Sequence, residues 1–284
     1  MTEESTVRRR ELGKELRNLR ERKHLSGMEL SRRVGVLQSK ISRWENGFRE
    51  MTTVDAALYL GGCGVDETER LRLLELTKPP SELYWVRPYF DQLSDPMKSI
   101  ILQESLANRI VSYEPLVVSG LHQSEAYARS MFEWRGSVAA DRVDLLVKAR
   151  MDRQNVLKRP KAPQGTFYIH ERALRSVVGS PRIMQEQILL LILSSTLPHC
   201  SIQVVLDSAG PYGTIGGDFT ILEFTDHPAT VYAAVFGGTI FIDDRPCVDA
   251  YYDLVAKLEL DALSRGHSRE WLVRLADEYD HMEE

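Results

Sequence analysis

Hydrophobic positions in the first 77 residues recur every three or four residues, in short segments that capping residues and glycines separate. The predicted helices span about residues 7–23, 26–34, 38–45, 53–60 and 66–77, and the glycine-rich stretch at 61–64 is expected to end the fourth. Ser26 and Glu29 form a capping box at the start of the second helix, and Gly35 is the natural left-handed stop at its end. The third helix follows after a very short turn. This arrangement predicts a helix-turn-helix inside a five-helix domain.

The third helix has an apolar side and a polar side. Ile41 and Trp44 lie three residues apart, so they face the core together. The residues left for the outward side are Gln38, Ser39, Lys40, Ser42 and Arg43. A short helix with such a face fits the DNA major groove, where glutamine pairs with adenine and arginine with guanine. We therefore predict that these five residues contact DNA, with the lysine placed on a phosphate.

Three arginines near this helix complete the predicted interface, whereas the glutamate at its end is expected to have a structural role. Arg32, Arg33 and Arg49 are expected either to clamp the DNA backbone or to serve only as solvated surface. A carboxylate would repel phosphate, so Glu45 is expected to brace an arginine of the first helix rather than to meet DNA.

Beyond residue 95 the apolar period changes from helical to mixed. Predicted helices span about residues 95–112, 123–134, 141–158, 171–178, 181–196, 247–264 and 268–279, and predicted strands span 166–170, 202–206, 219–224, 231–236 and 239–242. This order predicts an α+β domain with an antiparallel sheet of about four or five strands. Two prolines at 79–80 mark a boundary, and the aromatic residues after them are expected to dock on the second domain. The predicted parts are a DNA-binding domain (1–77), a linker and docking segment (78–95) and a regulatory or partner-binding domain (96–284).

The length of the chain is consistent with two domains, and its composition and charge restrict the classes of function. The 284 residues carry a net charge of −5, yet residues 1–50 hold 13 Lys and Arg against 8 Asp and Glu. Positive charge is therefore concentrated around the helix-turn-helix, where it would attract the phosphates of a nucleic acid. Three scattered cysteines, without a C-x-x-C pair, indicate a reducing cytoplasm. If the chain binds DNA as predicted, we expect it to be associated with the nucleoid while bound. No apolar run approaches 18 residues and no nucleophile or zinc motif occurs, so we expect no membrane span, metal, cofactor, catalytic residue or enzymatic activity.

Two families resemble parts of this chain. Residues 12–76 resemble the Cro/cI (Xre) type of helix-turn-helix domain through the stretch LSGMELSRRVGVLQSKISRWENG. Residues from about 85 to 280 resemble the C-terminal domain of the actinobacterial WhiJ-like regulators through RIVSYEPLVVSGLHQSEAYAR, LPHCSIQVVLDSAG, GGDFTILEFTD and VYAAVFGGTIFIDD. Three positions depart from these patterns. Gly27 replaces a glutamine that touches phosphate, Leu37 replaces a Ser or Thr cap, and His122 replaces an apolar residue.

The resemblance implies a cytoplasmic, sequence-specific transcription factor that binds double-stranded DNA as a homodimer. WhiJ-like members are often encoded beside a small protein, so the resemblance also implies a small co-encoded protein partner for the second domain. Two alternatives remain at this point. In the first, the chain is an antitoxin-like protein that neutralises its small partner and binds DNA only for autoregulation. In the second, it is a regulator that senses a small-molecule ligand.

Overall fold

The computed structural model describes residues 5–77, 84–88, 95–136, 140–212, 217–235 and 238–282. The chain divides into two compact units, of which the first comprises residues 1–86 together with the short segments 226–230 and 241–244. The predicted linker falls mostly on residues 78–83 and 89–94, which lie outside the described residues. Between them, Tyr84–Pro88 forms strand β1.

Five helices form the first unit, as the hydrophobic spacing predicts. They are α1 (Val7–Arg22), α2 (Gly27–Val34), α3 (Gln38–Glu45), α4 (Thr53–Cys63) and α5 (Glu67–Glu75). The predicted capping box is confirmed, because the Ser26 hydroxyl accepts from the Glu29 amide and the Glu29 carboxylate accepts from the Ser26 amide. Gly35 ends α2 with φ +70°. Within this unit Val7 and Arg10 of α1 donate to Asp243 and Thr230 of the two short segments.

The fourth helix is longer than predicted, because the glycine-rich stretch does not break it. Helix α4 continues through Gly61 and Gly62 and ends only at Gly64, which has φ +66°. The reason is the packing of α4 against α2. A Cβ atom on Gly62 would lie 2.8 Å from Leu30 Cδ1 and closer still to Val34 Cγ1, so a glycine here permits the close approach of the two helices.

The second unit combines helices with most of a mixed sheet. Its helices are α6 (Asp95–Leu106), α7 (Glu125–Arg135), α8 (Ala140–Arg153), α9 (Glu171–Arg175), α10 (Pro181–Ser194), α11 (Arg245–Asp261) and α12 (Arg265–His281). The strands that follow β1 are β2 (Arg109–Glu114), β3 (Gln164–His170), β4 (Cys200–Val205), β5 (Phe219–Glu223), β6 (Thr230–Val235) and β7 (Gly238–Ile242). All five predicted strands are present, and the α+β class is confirmed.

The predicted antiparallel sheet of four or five strands is wrong in strand number and orientation. The six strands from β2 onward lie in the order β7-β6-β5-β2-β3-β4, with β1 at the edge beside β7. Strand β3 pairs parallel with both β2 and β4, whereas β2 pairs antiparallel with β5. Helical crossovers cause the parallel pairs, because α7 and α8 connect β2 to β3, and α9 and α10 connect β3 to β4.

Strand β2 is the element that the sequence pattern missed. The prediction continued the preceding helix to residue 112, whereas α6 ends at Leu106 and β2 begins at Arg109. From Ile110 to Glu114 every residue of β2 is buried, so the strand lacks the alternation of polar and apolar residues that identifies a half-exposed strand.

A buried histidine lies in the second unit. The Nε2 atom of His122 is 3.4 Å from the Cys200 sulfur, and its ring meets the edge of Phe167 with centroids 4.2 Å apart. Its Nδ1 atom has no hydrogen-bond partner among the described residues. Burial lowers the pKa of His122 to about 3 and raises the pKa of the Cys200 thiol to about 11, so both groups are neutral at physiological pH.

The adjacent glycines of α4 provide a test of the packing between α2 and α4. Gly61→Ala should raise the free energy of unfolding by about 0.5–1 kcal/mol, because its added Cβ meets nothing within 4 Å and alanine favours a helix. Gly62→Ala should lower it by about 1–3 kcal/mol through overpacking against α2. Urea unfolding measures both. Equal effects of the two substitutions would contradict the close helix approach.

The buried His122 should make the folded protein less stable in acid. A histidine whose pKa is depressed in the folded state stabilises the protein above its unfolded pKa of about 6.5 and loses that contribution as the pH falls. Wild-type protein should therefore lose about 1 kcal/mol per pH unit below pH 6 through His122, and His122→Leu should remove this part of the slope. Urea unfolding between pH 4.5 and 7 tests it, with the exposed His267→Gln as control. An unchanged slope in His122→Leu contradicts the assignment.

Candidate nucleic-acid interface

Helix α3 is held directly against the backbone of α1. A Cβ atom on Gly13 of α1 would lie 2.5 Å from the Trp44 carbonyl oxygen and 2.6 Å from that of Glu45. Because both contacts are with backbone, no rotation of a side chain can relieve them. Only a glycine at this position therefore permits the close approach of α1 to the last turn of α3.

A buried ion pair fixes the same end of α3. The Arg20 guanidinium of α1 donates to both oxygens of Glu45, from Nε at 2.7 Å and from Nη2 at 2.8 Å, and its Nη1 donates to the Leu25 carbonyl at 2.7 Å. The Tyr59 hydroxyl of α4 donates to Glu45 Oε1 at 2.6 Å and lies 3.1 Å from the Leu16 carbonyl oxygen. The prediction that Glu45 braces an arginine of the first helix is confirmed.

The protonation states of Arg20 and Tyr59 allow both residues to donate hydrogen bonds to Glu45. The hydrogen bond to Glu45 raises the pKa of the Arg20 guanidinium, and burial raises the pKa of the Tyr59 hydroxyl. Arg20 therefore stays charged and Tyr59 stays protonated at any physiological pH. Burial also raises the pKa of the nearby Cys63 thiol to about 11, so this cysteine is not a reactive thiolate.

The opposite side of α3 is exposed and polar. Gln38, Ser39, Ser42 and Arg43 are all exposed, whereas Ile41, Trp44 and Glu45 are buried. Four of the five predicted DNA contacts on this helix are thus accessible to a ligand. Arg43 makes no ion pair within the described ranges, which leaves its guanidinium available to a base or a phosphate.

Lys40 differs from the other four residues. It is half-buried, and its ammonium lies 2.9 Å from Asp55 Oδ1 of α4 and 4.6 Å from the centre of the Trp44 ring. The ion pair and the cation–π contact direct this side chain toward α4. A phosphate contact by Lys40, as predicted, would have to share its ammonium with Asp55.

The three predicted flanking arginines are exposed but differ in their local contacts. Arg32 lies 3.5 Å from the Met28 sulfur, and Arg33 donates to the Gly62 carbonyl at 3.3 Å. Arg49 makes no ion pair with any residue that the structure describes. The contacts of Arg32 and Arg33 are weak, and Arg49 is exposed, so all three side chains are able to reorient toward a phosphate.

Two supports of α3 were missed from the sequence alone, namely Gly13 and Tyr59. Gly13 is an isolated glycine within a helix of strong helix formers, which is a signal of close packing or of function. Tyr59 gives no such signal, because a tyrosine in a helix is often just a residue of the hydrophobic core.

Comparison with known families agrees with the two-part architecture. A model described as a helix-turn-helix domain matches residues 11–73, and a model described as a domain of unknown function (DUF5753) matches residues 97–274. Comparison with the curated proteins gives no match. Within the described ranges, no helix is long and apolar enough to cross a membrane, and no group of three or more His, Cys, Asp or Glu side chains could hold a metal ion. The helix-turn-helix match supports a regulator that binds DNA.

Removing one member of the buried ion pair tests whether it holds α3. Glu45→Ala leaves the Arg20 charge buried without its partner, so the free energy of unfolding should fall by about 3–5 kcal/mol. The control is Glu15→Ala, which breaks the surface pair with Arg72 (2.7 Å) and should change it by less than about 1 kcal/mol. Urea unfolding followed by far-UV circular dichroism measures both. Similar small losses in the two variants would contradict a structural role for the pair.

Proposed function

Because the chain belongs to the DUF5753 family and also carries a helix-turn-helix domain, we propose that it is a sequence-specific DNA-binding regulator of transcription of the WhiJ-like kind. The observation that carries this proposal is the exposed polar side of α3. Its inner side is fixed by Gly13 and by the ion pair between Arg20 and Glu45, so the outer side is presented rigidly. A preorganised polar helix is what reading base edges in the major groove requires.

The residues of this side have distinct proposed roles. Gln38, at the first turn of α3, pairs with the N6 and N7 atoms of adenine, and Arg43 pairs with O6 and N7 of guanine. Ser39 and Ser42 donate hydrogen bonds to base edges or to phosphate oxygens. Lys40 contributes positive charge near the backbone while its ion pair with Asp55 orients it.

The flanking arginines supply affinity rather than sequence information. Arg32, Arg33 and Arg49 are exposed on or near the helix-turn-helix, where each can neutralise a phosphate. Such contacts release counterions, so binding should weaken as the salt concentration rises.

The chain binds DNA as a homodimer in this proposal. Helix α3 has eight residues, and only about three or four of its side chains can reach base edges. So few contacts do not distinguish one operator from the many competing sites in a genome. Two copies would read two half-sites about one helical turn apart, or a small multiple of that distance, and thereby multiply the discrimination.

The second unit is proposed to receive the regulatory signal in the cytoplasm. By its resemblance to WhiJ-like members, the signal would be a small co-encoded protein that alters dimer geometry or DNA affinity. Measuring the affinity of the whole chain for its operator with and without such a protein distinguishes a regulator from an antitoxin-like protein. Tight specific binding without any partner favours a regulator, whereas DNA binding that appears only with the partner favours an antitoxin-like protein.

The test begins with selection of bound sequences from a random duplex library. On the selected operator, Gln38→Ala and Arg43→Ala should each weaken binding by about 1–3 kcal/mol, with little change on random DNA, because each removes a contact to a base. Fluorescence anisotropy measures both affinities. Arg182→Ala, which removes an exposed arginine of α10, is the matched control and should change neither.

Three outcomes would contradict parts of this proposal. Equal losses on operator and random DNA would reduce Gln38 and Arg43 to phosphate contacts. A monomer mass in sedimentation at micromolar concentration, together with a single unrepeated half-site footprint, would exclude the homodimer. Failure of the selection to enrich any sequence would contradict sequence-specific binding itself.

A further inference from the structure

Leu37 is the residue immediately before α3, and its side chain is 76% exposed. It is the N-cap of that helix, with φ −64° and ψ 139°, and it forms no capping hydrogen bond. The N-caps of the other four helices of this unit are Thr6, Ser26, Thr52 and Asp66, and each of them accepts a hydrogen bond from the third residue of its helix.

In the free protein this leucine contributes less to stability than a Ser or Thr at the same position would. It leaves an amide at the start of α3 without the side-chain acceptor that a Ser or Thr would provide. It also keeps a large apolar side chain in water, where it gains nothing from burial. A residue that breaks a local rule without compensation in the fold is a candidate for a role in function.

Its neighbours limit what that role can be. Gln38 leans back toward α2, with Cγ and Nε2 each 3.8 Å from the position of a Cβ on Gly27, and Ser39 is short and polar. Leu37 thus places a large, exposed apolar side chain at the N-terminal end of α3. In the proposed complex, this end of the helix would enter the major groove. In that groove, the thymine 5-methyl group is the apolar feature that distinguishes one base from the others.

We propose that Leu37 reads the methyl group of a thymine in each half-site. This inference rests on the proposed function, since it requires α3 to enter the major groove, and it adds a specificity-determining residue to the polar contacts. Van der Waals contact with the methyl group buries apolar surface on both partners and needs no hydrogen bond. The free protein thus lacks one capping hydrogen bond, and in the complex the same residue distinguishes thymine from the other bases.

The experiment compares operators in which single thymines are replaced by deoxyuridine, which lacks only the methyl group. For wild-type protein, one thymine per half-site should be sensitive, with affinity falling about fourfold, the value expected for one buried methyl group. Leu37→Ser should bind the thymine and deoxyuridine operators equally. Leu37→Ile keeps an apolar side chain and should keep the sensitivity.

A stability measurement separates this effect from misfolding. Leu37→Ser restores a capping hydroxyl, so its melting temperature should rise while its discrimination between thymine and deoxyuridine is lost. A structural role for Leu37 would instead lower both the melting temperature and the affinity for all operators.

The outcomes distinguish this inference from the proposed function. If the protein binds its operator specifically but no thymine is sensitive, or if Leu37→Ser keeps the full sensitivity, the methyl contact is overturned and the proposed function stands. If no specific operator is bound at all, the proposed function fails, and this inference fails with it.

Discussion

The buried ion pair between Arg20 and Glu45 is the interaction on which the DNA-binding unit depends. It joins α1 to the last turn of α3, and the Tyr59 hydroxyl adds α4 to the same carboxylate. Both charged side chains are taken out of water, so their geometry must satisfy nearly all of their hydrogen-bonding capacity. An interaction of this kind tolerates little displacement, and α3 is therefore confined to one orientation relative to α1 and α4.

That confinement links the core of the unit to its surface. Gly13 sets the distance between α1 and α3, and Glu45 sets the rotation of α3 about its axis. With both fixed, Gln38, Ser42 and Arg43 must face outward. In the proposed complex, preorganisation of this side would lower the entropy lost on binding DNA, so the buried pair would affect recognition although none of its atoms needs to touch the nucleic acid.

Local signals in the sequence were sufficient to place the helix-turn-helix of the first unit, but not the end of its fourth helix. The capping box at Ser26 and Glu29 and the glycine at 35 act within a few residues, and the three helices around the turn lie where these signals place them. Non-local contacts explain the errors. Gly62 stays inside α4 because of its packing on α2. The contact of Lys40 with Asp55, fifteen positions later in the chain, is also non-local and is not visible in the local sequence pattern.

The second unit was less predictable for a related reason. A central strand such as β2 is covered on both faces, so its sequence carries no period that separates it from a buried helix. The orientation of β3 depends on crossover helices whose return path is a property of the whole domain.

Cleavage of DNA from a probe on α3 tests whether this helix lies in the major groove of the operator. Ser39→Cys carries an iron–EDTA probe, in a background where Cys63, Cys200 and Cys247 are replaced, and is bound to the selected operator. Cuts within each half-site on both strands are expected, because position 39 lies on the exposed side of α3. Cleavage no stronger than that from the same probe at Arg182→Cys on α10, while the operator remains bound, would contradict a role for α3 in reading DNA.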